Sequence, residues 1–186
     1  IIDHVENFGH DKTAMSAGEI NIFPNLLVGS ASKNLRRVFS LTDAVRKSAR
    51  GVSGIERLHV VGAGVMGGDI AAIGAMAGLD VTLADMNGAA IKNAITRAAK
   101  LFERRLKNEN KVAAALERLR SDPDGHGAAD ADLIIEAVAE KLDVKQAVFQ
   151  NLENVCKTGT ILATNTSAIP LEDIATVLNA PERLIG

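Results

Sequence analysis

Hydrophobic and polar positions along this chain follow two different regimes. From residue 55 onward, short apolar runs alternate with stretches of helical period. His59-Val60-Val61, Val81-Thr82-Leu83, Leu133-Ile134-Ile135-Glu136-Ala137 and Gly159-Thr-Ile-Leu-Ala-Thr164 read as strands, and Leu184-Ile185 as a strand just starting. Between them, helices are predicted over Asp69–Ala77 (stopped by Gly78), about Ala89–Asn108, Lys111–Leu119, Leu142–Val155 and Leu171–Leu178 (started after Pro170). Ser121–Gly127 is a turn-rich loop. Strand alternating with helix is the pattern of a parallel α/β sheet, and the unbroken run Leu133–Ala137 predicts a strand buried on both faces. Residues 1–54 carry no such alternation and form a helical lead-in. Ile1–Gly9 reads as a short amphipathic helix and Lys12–Glu19 as a second, followed by an irregular Phe23-Pro24-Asn25. Ser30 is the expected N-cap of a helix to about Ala49, with Leu35, Val38, Phe39, Leu41 and Val45 roughly on one face and Arg36, Arg37, Arg46 and Lys47 on the other. Residues 50–54 read as a linker before the α/β part, 55–186.

The turn after the first strand carries chemistry. Gly62-Ala63-Gly64-Val65-Met66-Gly67 is a Gly-x-Gly-x-x-Gly element between a strand and a helix, and Asp85 closes the next strand 23 residues past Gly62. Gly62 permits a tight turn, Gly64 lets backbone approach a pyrophosphate, and Gly67 lets helix pack on strand. The helix N-terminus offers unpaired N–H groups and a positive dipole end to phosphates. Asp85 is placed to accept hydrogen bonds from ribose hydroxyls. It would repel a 2′-phosphate, and Met86-Asn87-Gly88 bring no arginine, so NAD is expected over NADP. The fold class that follows is α/β, a Rossmann-type doubly wound parallel sheet with a helical N-terminal lead-in.

Composition narrows the alternatives. A chain of 186 residues with net charge −2 and 47% hydrophobic residues describes an ordinary domain with a core plus an appendage, with no basic excess for nucleic acid. The longest apolar stretch, around Ile70–Leu79, is too short for a membrane span. The single cysteine, Cys156, excludes an internal disulfide, suits a reducing compartment and reads as a small, partly buried hydrophobe. The chain starts at Ile1 and stops at Leu184-Ile185-Gly186, so a piece of a longer polypeptide is expected, with an open sheet edge that favours self-association.

In such a sheet, ligands sit at the carboxyl ends of the strands. Two further ends carry polar groups: Val138-Ala139-Glu140 with Lys145, and Asn165-Thr166-Ser167. A glutamate there is equally explained as compensation of a helix dipole, and Asn, Thr and Ser as local caps. His4, His10, His59 and His126 fall at none of the four ends, no spacing suggests a metal, and no general base for an alcohol proton is visible.

Together these motifs resemble the L-3-hydroxyacyl-CoA dehydrogenases: Gly62-Ala-Gly-Val-Met-Gly-Gly68, Ile135-Glu-Ala-Val-Ala-Glu140 with Lys145, Ala163-Thr-Asn-Thr-Ser167-Ala-Ile-Pro170 and Pro181-Glu-Arg-Leu-Ile-Gly186, in order over residues 57–186. The lead-in, with Phe8-Gly9, Phe23-Pro24 and Ser32–Phe39, is similar to the junction in multifunctional fatty-acid oxidation enzymes, where the last helices of an enoyl-CoA hydratase domain pass through a linker helix into the dehydrogenase. The resemblance implies that Gly62, Ala63, Gly64, Val65, Met66 and Gly67 hold the pyrophosphate of NAD and that Asp85 binds the adenosine ribose. It implies that Val138, Ala139, Glu140 and Lys145 line the nicotinamide side of the cleft. Ser167 would contact nicotinamide and the substrate's 3-oxygen as the catalytic hydroxyl, and Asn165 would shape the substrate corner.

It further implies a 3-hydroxyacyl-CoA substrate, a catalytic His and Glu beyond Gly186, dimerisation through a later helical domain and a thiolase partner. The location would be the cytoplasm in a bacterium or the mitochondrial matrix in a eukaryote. By itself this stretch would bind NAD without turnover. The rival readings are a hydroxyacid dehydrogenase of the 3-hydroxyisobutyrate type and a non-catalytic nucleotide-binding module.

Overall fold

The computed structural model describes residues 5–7, 9–48 and 54–186, which fall into two units divided between Ser53 and Gly54. In the first unit, α1 spans Lys12–Val28 and α2 spans Ser30–Ser48. Asp11 caps α1, its Oδ1 accepting from the amides of Thr13 (2.8 Å) and Ala14 (3.2 Å). The expected break at Phe23-Pro24-Asn25 is corrected, because α1 runs through it. Proline removes one backbone donor but its fixed φ is helical, and the Asn25 side-chain amide donates to the Asn21 carbonyl at 3.3 Å. Ser30 is likewise not a cap. It is the first helical residue, and the Gly29 carbonyl takes the first bond, from the Lys33 amide at 3.1 Å. Leu35, Val38, Phe39 and Leu41 are all exposed. Of the expected helix over Ile1–Gly9, residues 5–7 are described as helix and Gly9 as a turn, and the rest lies outside the described residues. Ala49, most of the 50–54 linker and the side chain of Val45 lie outside the described residues.

The second unit alternates strand and helix, except for one pair of successive helices and one pair of strands with no α-helix between them. Its elements are β1 (Arg57–Val61), α3 (Val65–Ala77), β2 (Asp80–Ala84), α4 (Gly88–Leu106), α5 (Glu109–Arg118), β3 (Leu119–Ser121), β4 (Leu133–Glu136), α6 (Leu142–Val155), β5 (Ile161–Thr164), α7 (Leu171–Ala175) and β6 (Leu184–Ile185). The six strands form one parallel sheet in the order β3-β2-β1-β4-β5-β6. The chain reverses its direction of travel across the sheet between β1 and β4, which makes that the topological switch point.

Side-chain alternation explains the two layers. Leu58, Val60, Val81 and Leu83 face α3–α5 and pack with Ala71, Ala75, Ile91, Ala94 and Phe102. Ile134 and Leu162 face the other way, onto Phe149, Leu152 and Ile174. The buried stripe of α3 contains only glycine and alanine (Gly67, Gly68, Ala71, Ala72, Gly74, Ala75). A Cβ on Gly68 would stand 2.9 Å from the Ala94 Cβ, and one on Gly74 would stand 2.7 Å from Leu58 Cδ2.

Four expectations for the elements of this unit are corrected. Leu119–Ser121 is a strand, formed because it pairs with β2 (Val81 with Leu119, Leu83 with Ser121), and a three-residue run carries no period of its own. The strand at 133–136 is sealed on one face only: Ile134 and Glu136 are fully buried, Leu133 and Ile135 half-buried. Helix α7 ends at Ala175, short of the expected Leu178. Helix α3 also starts four residues earlier than the expected Asp69.

A charged clasp aligns the amino ends of β1 and β4. Asp132 Oδ2 accepts from the amides of Glu56 (2.9 Å) and Arg57 (2.8 Å), while Oδ1 pairs with Lys157 Nζ at 2.5 Å. The hydrogen bond from Lys157, then those from the two amides, hold the Asp132 carboxyl well below the usual carboxylate range. A folded-state value below the unfolded one stabilises fully above the unfolded value and is lost as pH falls toward the folded one. Asp132→Asn is therefore expected to lower the urea midpoint at neutral pH, and its gap to wild type should close as pH drops below about 4 in a denaturation series.

Candidate functional site

β1 ends in a turn that has no room for side chains. Gly62 has φ +104°, its amide donates to the Ala84 carbonyl at 2.8 Å, and a Cβ there would stand 2.5 Å from the Ala137 carbonyl oxygen. Gly62 is thus held between β2 and the end of β4. At Gly67 a Cβ would run into the Gly62 carbonyl. Gly64 is different: its φ is an ordinary −59°, and no atom lies within 4 Å of where its Cβ would be. Helix α3 starts at Val65 with no side-chain cap, and its first hydrogen-bonded amide is that of Gly68, to the Gly64 carbonyl at 3.0 Å. The amides of Val65, Met66 and Gly67 therefore have no partner within the helix. The result is an open cradle above Gly64 faced by free donors, and it suits a pyrophosphate. Arg97 of α4, which sequence reasoning missed, braces the turn from outside by donating to the Gly64 carbonyl at 3.1 Å. Its spacing from the glycines gave no signal.

Asp85 stands at the carboxyl end of β2, next to this turn. Its Oδ2 accepts from the Ala63 amide at 2.7 Å and its Oδ1 from the Asn87 amide at 2.8 Å. Each oxygen keeps a further lone pair for a diol. A cavity of about 600 Å³ opens beside it, lined by Val61, Ala84, Met86, Val148 and Asn151 among others.

The ends of β4 and β5 are joined by a polar network. Glu136, the last residue of β4, is fully buried, and its carboxylate accepts from Lys145 Nζ, the Val138 amide and Thr164 Oγ1. Lys145 also pairs with Glu140 at 3.2 Å. Glu140 accepts from the Thr166 hydroxyl and from the amides of Ser167 (3.3 Å) and Ala168 (3.4 Å). The Thr166 bond first, then Lys145, lower the Glu140 carboxyl pKa against some desolvation. The expectation that Lys145 faces the crevice is corrected: its side chain is 1% exposed. Sequence reasoning also missed Glu136, although an acid inside an apolar strand was the available signal.

Ala139 is exposed and Val138 half-buried. Ser167 is exposed, and its hydroxyl has no partner among the described residues. Asn165, also exposed, continues the β4 pairing through its amide, which donates to the Glu136 carbonyl at 2.9 Å.

Because all strands are parallel, these four groups share one edge of the sheet. Among the described residues no histidine stands at these strand ends, although His59 and His126 line the cavity beside Asp85. His59 is buried on β1 with Nδ1 2.8 Å from Thr82 Oγ1, and burial lowers its pKa; His10 and His126 are exposed, and His4 lies outside the described residues.

Known proteins are similar to this chain in sequence and fold. The profile of a family described as 3-hydroxyacyl-CoA dehydrogenase, NAD binding domain, matches residues 57–186. The fatty acid oxidation complex subunit alpha of Shewanella baltica is 32% identical over 177 residues, which is 90% of this chain and 25% of that protein. A probable 3-hydroxybutyryl-CoA dehydrogenase of Bacillus subtilis is 37% identical over 136 residues, 71% of this chain and 47% of its own length. The crystal structure of 3-hydroxybutyryl-CoA dehydrogenase from Escherichia coli K12 superposes with a TM-score of 0.68 at 36% identity, covering 71% of this chain and 29% of that one. The chain therefore spans between a quarter and a half of these relatives' length.

The second and third glycines of the turn can be told apart experimentally. Gly64→Ala is expected to change stability by less than about 1 kcal/mol, since its Cβ meets nothing. Gly67→Ala should cost about 3 kcal/mol or more, because backbone must move. Urea unfolding of both variants checks this.

Proposed function

Since this chain belongs to the 3-hydroxyacyl-CoA dehydrogenase family through its NAD-binding domain, we propose that it is the cofactor half of an enzyme oxidising L-3-hydroxyacyl-CoA to 3-oxoacyl-CoA. NAD is the cofactor that the matched domain indicates. One observation carries the reading: an uncapped helix start above a glycine with empty space at its Cβ position, and a carboxylate pinned beside it.

In this reading, the amides of Val65, Met66 and Gly67 hold the pyrophosphate, with Gly62, Ala63 and Gly64 shaping the turn. Asp85 takes the adenosine ribose diol with its remaining lone pairs, and the adjoining cavity receives the adenine. A 2′-phosphate there would meet the Asp85 charge, and the Arg97 guanidinium is already engaged with Gly64. Bound NAD supplies the hydride acceptor. Val138, Ala139 and Glu140 border the nicotinamide side. The free Ser167 hydroxyl orients the substrate's 3-oxygen, with Asn165 at the same corner. The alcohol proton needs a base, which the family resemblance puts downstream of Pro181–Gly186. The same reading assigns a thiolase partner, self-association of the parent and, in a bacterium, a cytoplasmic setting.

A titration of the chain with NADH, followed by the cofactor's fluorescence, tests this. Saturable binding competed by NAD, and much less by NADP, is expected. Failure to bind overturns the reading. Asp85→Arg should weaken NAD by at least about tenfold, and unchanged affinity would remove Asp85 from the ribose site.

A further inference from the structure

Between the ends of β4 and β5, one lysine is shared by two glutamates. Glu136 accepts four hydrogen bonds on its carboxylate: two from Lys145 Nζ (2.8 and 3.0 Å), one from the Val138 amide (2.7 Å) and one from Thr164 Oγ1 (2.7 Å). An ammonium has three protons. Those of Lys145 face Glu136 Oε1, Glu136 Oε2 and Glu140 Oε2. Nothing is left over for a ligand. A buried charge pair contributes little to stability compared with packed apolar residues, so its presence calls for another explanation.

What the pair connects supplies one. Glu136 ends β4, Lys145 closes the first turn of α6, and Glu140 lies in the turn between them. Glu140 then reaches across to Thr166, Ser167 and Ala168, beyond the end of β5. Without Glu136, Lys145 would keep only Glu140, on a long side chain with freedom to follow it.

We propose that Glu136 is a positioning residue: through Lys145 it fixes Glu140, and through Glu140 it sets Ser167 relative to the Val138–Glu140 turn. What Ser167 is set for rests on the proposed function, but the linkage does not. Glu136 makes the two polar loops of the crevice a single unit, so disturbing it moves a serine on another strand. Lys145, in consequence, serves the crevice by holding Glu140.

Two variants test this: Glu136→Gln alone, and Glu136→Gln combined with Lys145→Met. Each is followed by thermal unfolding, NADH titration and the backbone amide resonances of Ser167 and Ala168. The single variant strands a buried ammonium and should melt lower; the double removes both charges and should recover most of the loss. If the pair positions the loop, both variants keep displaced Ser167 and Ala168 amides, and both bind NADH about tenfold more weakly than wild type. A double variant with wild-type amide positions and affinity would overturn the proposal, because the pair would then serve folding alone. Unmoved amides in the single variant would overturn it as well. Should the single variant not fold, the double decides by itself. Should wild-type protein fail to bind NADH, the proposed function falls, and the amide positions still decide the linkage.

Discussion

The backbone of α3 lies against the backbone of the turn that leads into it, with no side chain between them. A Cβ on Gly67 would overlap the Gly62 carbonyl, and one on Gly62 would overlap the end of β4. The other features of the site depend on this contact. It brings the helix start to the sheet edge at the switch point and aims the first-turn amides over Gly64. It also puts Ala63 where its amide can seize Asp85. The small residues farther along α3 continue the approach and let α4 close over it, so that Arg97 reaches the turn. Close packing here restricts where a ligand can sit as well as holding the layers together.

Much of this was legible in the sequence, for identifiable reasons. The glycine turn and its following acid are local, so their spacing alone fixes their geometry, and the strands at 57–61 and 80–84 are apolar enough to show. Other features depend on partners far away in the chain. Leu119–Ser121 is a strand only because β2 is beside it. Pro24 signals a break on local grounds, but it removes a single donor and α1 continues past it. Asp132 looks like an ordinary loop acid until Lys157 and two amides from β1 converge on it.

The site residues show the same divide. Ser167, Asn165 and Glu140 are legible as strand-end positions, because strand ends are where a doubly wound sheet places its chemistry. The state of Lys145 was not legible, since a lysine in an amphipathic helix normally lies in water. Only the fold shows that Glu136, four residues before Glu140, turns inward and takes the lysine with it. A doubly apolar reading of β4 passes over the one polar residue in the run, whose buried carboxylate accepts from Lys145, the Val138 amide and Thr164.

The strand order has a thermodynamic meaning of its own. Residues 57–121 build β1, β2 and β3, and residues 133–185 build β4, β5 and β6, each as a contiguous block. Within the sheet the blocks are joined along one strand pair, β1 with β4, from Leu58 opposite Leu133 to Val61 opposite Glu136, across a long excursion of chain. That seam is the switch point, and every group of the crevice belongs to one block or the other: the glycine turn and Asp85 to the first, Glu140 and Ser167 to the second. A molecule lying across the crevice touches both halves and makes its full set of contacts only while they are joined. Its binding energy is therefore added to the cohesion of the seam by mass action. The ligand fastens the two blocks together, and opening the sheet along β1 and β4 requires its release first.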